Sequence, residues 1–496
     1  MKKLYEKRYL IKTLRNKFHD KLAAALPVEL LSRIFVFCIE DHSVPIKRHT
    51  ALNLHDPPYR RRTRPTGFIL GAVCKRWQEI ARSTPQLWTT VSVKIKEGDI
   101  DFCAQFTRDW LSRTGNLPLT LDIYQPEDTQ TIFGPPPAFD ASPIFDKINA
   151  HSSQWATISA NVHSNLMRLL HGDENGAPRL HTLDIATINH HPFHQHLIPP
   201  IVFALSGPTP GPTRVTLHHI RFPSAIVVWE AITYLDIQEA PIAECYAILQ
   251  RATRLIECYI QEIELPGLES VSPPHPFLLP QLKVLHILWN DAKEILLNAL
   301  TLPSLTSLHS DGPLSTLPSL ITRSACKSTL TKLGVSDMEA SMADLMRALE
   351  SVPMLTQLAI SGIKLDDTLF DRLASTAFFD PAQVHANADN MFLPHLTSLT
   401  LVSDPALFSF EAIAPIFISK HEHEQERRKR RPLSRFWLEV RDPNDGNMPL
   451  QWHIIDPVHP VEVDLLRTIK DGGVDLQIYD GKGVDLFMYD ADESDG

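Results

Sequence analysis

The chain has 496 residues, of which 43% are hydrophobic and 21% charged, and its formal net charge at pH 7 is −10. This length predicts two or more folded units with sizeable cores. The negative charge argues against nucleic acid as a partner, since phosphate backbones are bound by basic surfaces.

The six cysteines follow no metal-ligand or redox spacing, because no CxxC pair occurs among them. Scattered cysteines within apolar runs are typical of buried, reduced thiols in an intracellular protein. The first residues lack the apolar core of a signal peptide, and no apolar run is long enough for a transmembrane helix. The sequence therefore predicts a cytoplasmic or nuclear protein that does not enter a membrane. The cysteines are Cys38, Cys74, Cys103, Cys245, Cys258 and Cys326.

A basic amphipathic segment opens the chain at residues 1–25. Leu10, Leu14, Phe18 and Leu22 recur every four residues, with lysine and arginine between them, which predicts a helix. Such a helix either lies on a membrane surface or packs on the helices that follow. The narrow apolar stripe favours packing.

Two very apolar helical stretches follow, separated by a Pro- and Arg-rich insert at residues 42–67. The first, at residues 26–39, begins with Pro27, which suits the first turn of a helix. The second starts at Phe68 and leads through Trp77 and Trp88 into a strand that ends at Ile95. Helices this apolar in so small a unit need another surface to cover them. Within the insert, the basic run at residues 47–64 is expected to be a solvated loop, the alternative being a site for an acidic partner or nucleic acid.

Five short motifs stand in order within residues 26–95, namely Leu26-Pro27, Glu29-Leu30-Leu31, Ile34-Phe35, Val73-Cys74-Lys75-Arg76-Trp77 and Leu87-Trp88. With these motifs, residues 26–95 resemble the F-box in its F-box-like, fungal variant, although the insert departs from the family pattern. The resemblance implies a module that docks a Skp-type adaptor and, through it, a cullin. The alternative interpretation of the same residues is an ordinary helical hairpin with Trp77 and Trp88 in its core. The adaptor-binding residues that the resemblance implies are Leu26, Pro27, Leu30, Leu31, Ile34, Phe35, Val73, Cys74 and Trp77.

Residues 96–160 are predicted to form a linker region with the first strand and helix units. Phe102, Phe106 and Trp110 stand at four-residue steps, as on a helix. Residues 117–123 then alternate as a strand, and a second helix is expected at residues 144–151. This run also resembles the region that follows the fungal F-box-like module.

From residue 161 to residue 470 the motif L-x-x-L-x-[LIV] recurs. Six consecutive copies start at residues 232, 255, 282, 305, 330 and 355, which are 23, 27, 23, 25 and 25 residues apart. Further copies start at Leu180 and Leu396, and helical stretches such as residues 292–300 and 338–349 separate the copies. One strand and one helix per repeat of this length are the signature of a leucine-rich-repeat solenoid, because only stacked neighbours bury the apolar face of each unit.

The predicted fold class is therefore α+β or α/β. A small N-terminal helical module precedes an irregular leucine-rich-repeat solenoid with parallel strands on one side and helices on the other. The match is degenerate, since the asparagine that follows the strand in regular repeats is present only as Asn290. The alternative is a plain α/β domain with evenly spaced strands.

Near the end, residues 421–431 place acids before bases, which predicts a self-paired helix or, as the minor alternative, a nuclear import signal. The last residues, 471–496, contain a duplicated unit around Asp480-Gly481, which predicts a terminal hairpin followed by an acidic tail.

The sequence shows no catalytic motif. It contains no G-x-S-x-G, phosphate-binding loop or H-E-x-x-H, so no catalytic residue and no cofactor are predicted. His190, His191, His194 and His196 lack the further ligands of a closed zinc site, so a histidine-rich loop is predicted rather than a metal site.

The favoured function is a non-catalytic substrate-recognition subunit of a Skp–cullin–F-box type ubiquitin ligase, as the resemblance implies. Its alternatives are a repeat scaffold outside any ligase and a hydrolase-like α/β enzyme. The repeats would hold a protein substrate on their strand-bearing face. The substrate-binding residues expected there are Lys283, His286, Lys332, Gln357 and Thr400.

Overall fold

The chain forms two units in a computed structural model, Met1–Val228 and Trp229–Gly496. The structure describes residues 4, 7–8, 10–11, 26–39, 66–126, 139–187, 203–264, 276–288, 293–379, 392–403, 408–418, 429–430, 432–440, 460–479 and 487. Most of the N-terminal segment, the insert and the histidine cluster therefore lie outside the described residues. Leu10, the described member of the predicted N-terminal apolar stripe, is exposed.

The first unit begins with helices and continues with alternating strands and helices. The helices are α1 (Val28–Phe37), α2 (Thr66–Gly71), α3 (Lys75–Arg82), α4 (Ile100–Leu111), α5 (Ser142–Asn149) and α6 (Ser164–Met167). The strands are β1 (Thr90–Lys94), β2 (Leu119–Tyr124), β3 (Trp155–Val162), β4 (Thr182–Thr187) and β5 (Arg214–His218). Short 3-10 helices lie at Pro85–Trp88, Ser152–Gln154 and Phe222–Ser224.

The strands of the first unit form a parallel sheet in chain order, from β1 to β5. Alternate side chains point into one core, as the pleat of a strand requires. One row of paired residues in this core is fully buried, namely Val91, Leu121, Ile158, Leu183 and Val215. The first unit therefore already has the repeating architecture that the sequence predicted only from residue 161 onward.

The second unit continues the pattern. Its helices are α7 (Ile242–Arg251), α8 (Lys293–Ala299), α9 (Leu317–Ser324), α10 (Met342–Glu350), α11 (Asp367–Ser375) and α12 (Pro460–Asp471). Its strands are β6 (Tyr234–Pro241), β7 (Glu257–Glu264), β8 (Phe277–Leu278), β9 (Val284–Leu288), β10 (Leu300–Thr301), β11 (Ser307–Ser310), β12 (Lys332–Ser336), β13 (Gln357–Ser361), β14 (Phe378–Phe379), β15 (Ser398–Ser403), β16 (Lys429–Arg430), β17 (Arg435–Val440) and β18 (Asp475–Tyr479). Short 3-10 helices lie at Trp229–Ala231, Leu314–Thr316, Phe410–Ala412 and Ala414–Ile416.

The main sheet of the second unit runs in chain order from β6 through β7, β9, β11, β12, β13, β15 and β17 to β18, with parallel pairing. A row of paired residues crosses all of these strands, and none is more than 2% exposed. The row is Leu235, Cys258, Leu285, Leu308, Leu333, Leu358, Leu399, Phe436 and Leu476.

This topology confirms the predicted fold class. The strand order never reverses, whereas a doubly wound α/β sheet reverses at a switch point. One face of each strand is buried under the connecting segments, and most side chains on the opposite face are only half-buried. The chain is thus an α+β protein with a leucine-rich-repeat-like solenoid, and the plain α/β alternative is wrong.

A ladder of threonine hydroxyls links the entries of neighbouring strands in the second unit. Oγ1 of Thr331 donates to the carbonyl of Thr306 at 3.2 Å, Thr356 to Thr331 at 3.0 Å, and Thr397 to Thr356 at 2.8 Å. The ladder lies at the strand entries, and its sequence signal is the threonine in the repeated L-T-x-L.

Truncation of Leu358 to alanine is expected to lower the free energy of unfolding by about 2–5 kcal/mol, because it removes buried surface and leaves a cavity. Leu358 is 2% exposed and pairs with Leu333 and Leu399. Denaturant unfolding of the full chain measures the loss. Gln357→Ala, one residue earlier and exposed, should change the free energy by less than about 0.5 kcal/mol. Equal losses in the two variants would contradict the stacked core.

One prediction about the end of the chain needs correction. Lys429 and Arg430 are not helical, because they form β16 and pair antiparallel with Phe378 and Phe379. The unit at 475–479 is the last parallel strand of the sheet, paired with β17. Phe487 is the described residue of the second copy, and the rest of the predicted hairpin beyond residue 479 lies outside the described residues.

Candidate protein-binding surfaces

The two helical stretches of the first unit pack together despite the insert between them. Nη2 of Arg76 donates to the carbonyl of Leu26 at 2.7 Å, and Oγ1 of Thr84 donates to Oγ of Ser32 at 3.0 Å. The ring centroids of Phe35 and Trp77 are 4.9 Å apart. These contacts join α1 to α3 and its C-terminal turn, so both halves form one helical module.

Trp88 joins this module to the first strand and helix unit. Its Nε1 donates to the carbonyl of Ala81 at 2.7 Å, and its own carbonyl accepts from Nε1 of Trp110 at 2.9 Å. The ring leaves little room beside Gly67, where a Cβ would lie 3.1 Å from it. The guanidinium of Arg113 lies 4.6 Å from the ring centroid. Trp88 is therefore the packing centre of the module.

Seven large apolar side chains of the helical module are exposed, by 37 to 85%. Exposed apolar groups in this number mark interaction sites, because a folded monomer gains nothing by leaving them in water. We call this set the helical apolar surface. It comprises Val28, Leu30, Ile34, Phe37, Phe68, Ile69 and Val73.

The charges around the helical apolar surface are mainly basic. Residues 26–39 and 66–89 carry four basic side chains against two acidic ones, on a chain whose net charge is −10. An apolar partner segment with acidic flanks would match this balance. The six side chains are Arg33, Lys75, Arg76 and Arg82, with Glu29 and Glu79.

The nine residues predicted to bind an adaptor divide by exposure. Pro27, Leu30, Ile34 and Val73 are exposed, whereas Leu26, Cys74 and Trp77 are half-buried. Leu31 and Phe35 are 3% and 1% exposed, so they belong to the core of the module and can only support a contact surface.

Cys74 also has a local role, because its sulfur caps α3 by accepting from the backbone N–H of Trp77 at 3.5 Å. The sequence prediction does not include Val28, Phe37, Phe68 and Ile69 as surface residues. Phe37 had a signal, since it lies three residues after Ile34 and so shares its helix face.

The strand-bearing face of the second unit presents rows of paired side chains. The first row contains Tyr234, Glu257, Val284, Ser307, Lys332, Gln357, Ser398, Arg435 and Asp475. The central row contains Asp236, Tyr259, His286, His309, Gly334, Ala359, Thr400, Trp437 and Gln477.

These rows contain four of the five residues predicted to bind a substrate. Lys332 and Gln357 stand in the first row, and His286 and Thr400 in the central row. Lys283 is exposed but precedes β9, so the alternation of that strand does not place it in a row.

Four aromatic or imidazole rings form a ladder at one end of this face. The centroids of Tyr234 and Tyr259 are 5.4 Å apart, those of Tyr259 and His286 4.7 Å, and those of His286 and His309 5.4 Å. The last ring covers Gly334, where any Cβ would collide with it. Burial lowers the pKa of His309 to about 4, so its ring is neutral at neutral pH.

The strand-bearing face of the first unit is polar. Oγ of Ser92 donates to Asp122 at 3.0 Å, and Oγ of Ser159 donates to Asp184 at 3.2 Å. These serine–aspartate pairs join β1 to β2 and β3 to β4. They satisfy the polar groups of the sheet and form no reactive arrangement.

The described residues show no sign of metal chemistry or a membrane span. Over that part of the chain, no group of three or more His, Cys, Asp and Glu side chains could hold a metal ion. No described helix is long and apolar enough to cross a bilayer. All six cysteines are free thiols, and Cys245, Cys258 and Cys326 are buried as predicted, whereas Cys38 is exposed. Burial raises the pKa of Cys245 to about 12, which opposes thiolate chemistry there.

Comparisons with known proteins add little to this description. No protein-family model matches the chain, and no curated protein matches it. Among solved structures, the chain is similar to an internalin of Listeria monocytogenes at 12% identity and a TM-score of 0.29, over 66% of this chain and 81% of the internalin. A likeness at this level carries no argument, so the fold assignment rests on the strand order and register.

Proposed function

We propose that the chain is a binding scaffold for proteins, and that it serves as the substrate-recognition subunit of a Skp–cullin–F-box type ubiquitin ligase. The helical apolar surface would dock a Skp-type adaptor. The strand-bearing face would hold a protein substrate. The observation that carries the proposal is the helical apolar surface itself.

The scaffold part follows from the solenoid. Stacked repeats present an extended face that is built from many short strands, and such faces serve as binding surfaces in repeat proteins. The half-buried tyrosine, histidine and tryptophan side chains in the rows suit this use, since amphipathic rings are enriched at protein interfaces.

The ligase part is supported by the resemblance of residues 26–95 to the F-box-like module and by the packing of its halves. Leu30 and Ile34 are 46% and 45% exposed, whereas Leu31 and Phe35, each one residue later on the adjoining side of α1, are 3% and 1% exposed. Covering such side chains contributes about 25 cal/mol for each Å2 of apolar area removed from water. An adaptor that covers them would hold the substrate near the ligase and raise its local concentration there, without any chemistry in this chain.

The enzyme alternative has no observation in its favour. A hydrolase on a doubly wound sheet places its site where the strand order reverses, and the order here runs in one direction. The other alternative, a repeat scaffold outside any ligase, differs from the proposal only in that its helical module would not dock a ligase adaptor.

Affinity purification of the tagged chain, followed by mass spectrometry, tests the proposal. A Skp-type adaptor and a cullin are expected among the captured proteins, in amounts comparable to the bait. Capture of other proteins without any adaptor would support the scaffold outside a ligase and contradict the ligase proposal.

Deletion of residues 47–64 is expected to leave adaptor binding within about threefold of the intact chain. The contacts of Arg76 with Leu26 and of Thr84 with Ser32 hold the halves together, and the length of a loop changes its closure entropy only slowly. Titration of a purified adaptor into both proteins measures the change. Loss of helical content in the deletion variant would mean that the insert is part of the module core.

A further inference from the structure

We infer that the end of the strand-bearing face at β6, β7, β9 and β11 binds a basic segment of a protein partner. Arginine or lysine side chains of this segment would lie over Tyr234 and Tyr259 and pair with Glu257. This partner class rests on the proposed use of the strand-bearing face as a binding surface, and it names the chemistry of what binds there.

The ring ladder gives the first reason. Its four rings cross four neighbouring strands with successive centroid separations of 4.7 to 5.4 Å, and each of them is half-buried rather than covered. A cation within about 6 Å of an aromatic centroid is attracted by the negative face of the ring. The ladder therefore offers half-buried tyrosine rings in a region that a partner can desolvate.

The charges beside the rings give the second reason. On these four strands, the first and central rows carry two acidic side chains, Asp236 and Glu257, and no lysine or arginine. Asp236 is only 2% exposed, so the carboxylate that a partner can reach is that of Glu257, which pairs with Tyr234 across the strands and stands beside its ring. A carboxylate beside a tyrosine face is complementary to a guanidinium or ammonium group.

Neighbouring charges do not reverse this balance. Glu239 and Glu262 follow on β6 and β7, and both are half-buried. Arg254 and Lys283 are exposed before β7 and β9, and Lys332, the next cation in the rows, lies one strand beyond His309. An acidic peptide or a nucleic acid would meet like charge at the tyrosine end, whereas a basic segment meets opposite charge.

The spacing suits an extended peptide that crosses the strands. Strands lie about 4.8 Å apart, so the four strands of the ladder span about 14 Å. A short extended segment of four or five residues covers about this distance at roughly 3.3 Å per residue. Alternate side chains of such a segment would point at the ladder.

The probe is a fluorescein-labelled peptide of eight alternating arginine and glycine residues, with a glutamate–glycine peptide as the control ligand. Fluorescence anisotropy with the full chain at physiological salt measures binding. Glu257→Gln and Tyr259→Leu are each expected to weaken binding of the arginine peptide about three- to tenfold. Tyr259→Phe keeps the ring face and should bind within about twofold of the unchanged chain.

Matched variants separate the site from the general negative charge of the chain. Glu350→Gln removes an exposed carboxylate on α10, and Trp437→Leu removes a ring at the far end of the same face. Both should bind the arginine peptide within about twofold of the unchanged chain. Equal weakening by Glu350→Gln and Glu257→Gln, or no binding by the unchanged chain, would overturn the inference.

The same samples distinguish this inference from the proposed function. Adaptor capture depends on Leu30 and Ile34, so the Glu257 and Tyr259 variants should capture adaptor normally. If neither the unchanged chain nor its variants bind the arginine peptide while the adaptor is still captured, only the basic-partner inference is overturned. Peptide binding at the ladder without adaptor capture would overturn only the ligase proposal.

Discussion

Replacement of both Leu30 and Ile34 by aspartate is expected to abolish capture of a Skp-type adaptor and leave the repeats folded. Both side chains are nearly half-exposed on α1, whereas the core contacts of this helix come from Leu31 and Phe35. The new carboxylates would lose their water in any apolar interface, which costs several kcal/mol each when they are left unpaired. We expect at least about a hundredfold loss of affinity, measured by titration with a purified adaptor.

A matched control introduces two aspartates at exposed apolar positions outside the helical module. Ile226 is 49% exposed and Leu278 is 57% exposed, so Ile226→Asp with Leu278→Asp adds the same charge elsewhere. This control should capture the adaptor as well as the unchanged chain does. Far-UV circular dichroism should show the same helix and strand content for all three proteins. Undiminished capture by the Leu30 and Ile34 variant would remove the adaptor-docking role of this surface.

Trp88→Ala is expected to lower the free energy of unfolding by about 3–5 kcal/mol, the largest stability effect that we predict. The indole is 1% exposed, donates to the carbonyl of Ala81, and packs against Gly67 and Trp110. Its loss leaves a cavity between the helical module and the first strand and helix unit. Denaturant unfolding, together with hydrogen exchange of α1 and α3, measures the effect.

Trp437→Ala provides the control for this truncation. Trp437 is half-buried on the strand-bearing face of the second unit, where the space that it leaves opens to solvent. This variant should cost clearly less, about 1 kcal/mol. Hydrogen exchange in the helical module should rise only in Trp88→Ala. Equal stability losses would contradict the central packing role of Trp88.

The solenoid could be predicted from the sequence because leucines at fixed spacing report the buried positions of each strand. Leu285, Leu333 and Leu358 were found in this way, and all are buried. The leucine pattern does not predict strand β17, because Phe436 occupies the position where the pattern has leucine, although Leu433 and Leu438 keep the spacing. Rows of paired residues accept any apolar side chain of suitable volume, so a leucine-based pattern undercounts the strands.

The helical module shows what a single sequence leaves undetermined. α1 is apolar on nearly all sides, so periodicity alone cannot separate Leu30 from Leu31 or Ile34 from Phe35. Trp77, which follows the insert in the chain, packs on Phe35 and so determines which apolar face of α1 is buried. Long-range contacts of this kind decide which apolar face stays open to a partner.

The strand at Lys429–Arg430 shows that long-range pairing can also override a local sequence pattern. The local charge order at residues 421–431 favours a helix, and the pairing of Lys429 and Arg430 with Phe378 and Phe379 overrides it at that end. The ring ladder was likewise only partly predicted. His286 was expected on the strand-bearing face, but its neighbours Tyr234 and Tyr259 come from other repeats whose register the sequence does not state.

Isothermal titration calorimetry with a purified Skp-type adaptor and the purified full chain tests the central claim, adaptor docking on the helical apolar surface, most directly. The account predicts a complex with one adaptor per chain and a negative heat-capacity change, because covering the helical apolar surface buries apolar area. The Leu30 and Ile34 double variant should give no heat of binding under the same conditions. Absence of a complex with the unchanged chain, or equal binding by the double variant, would contradict the account.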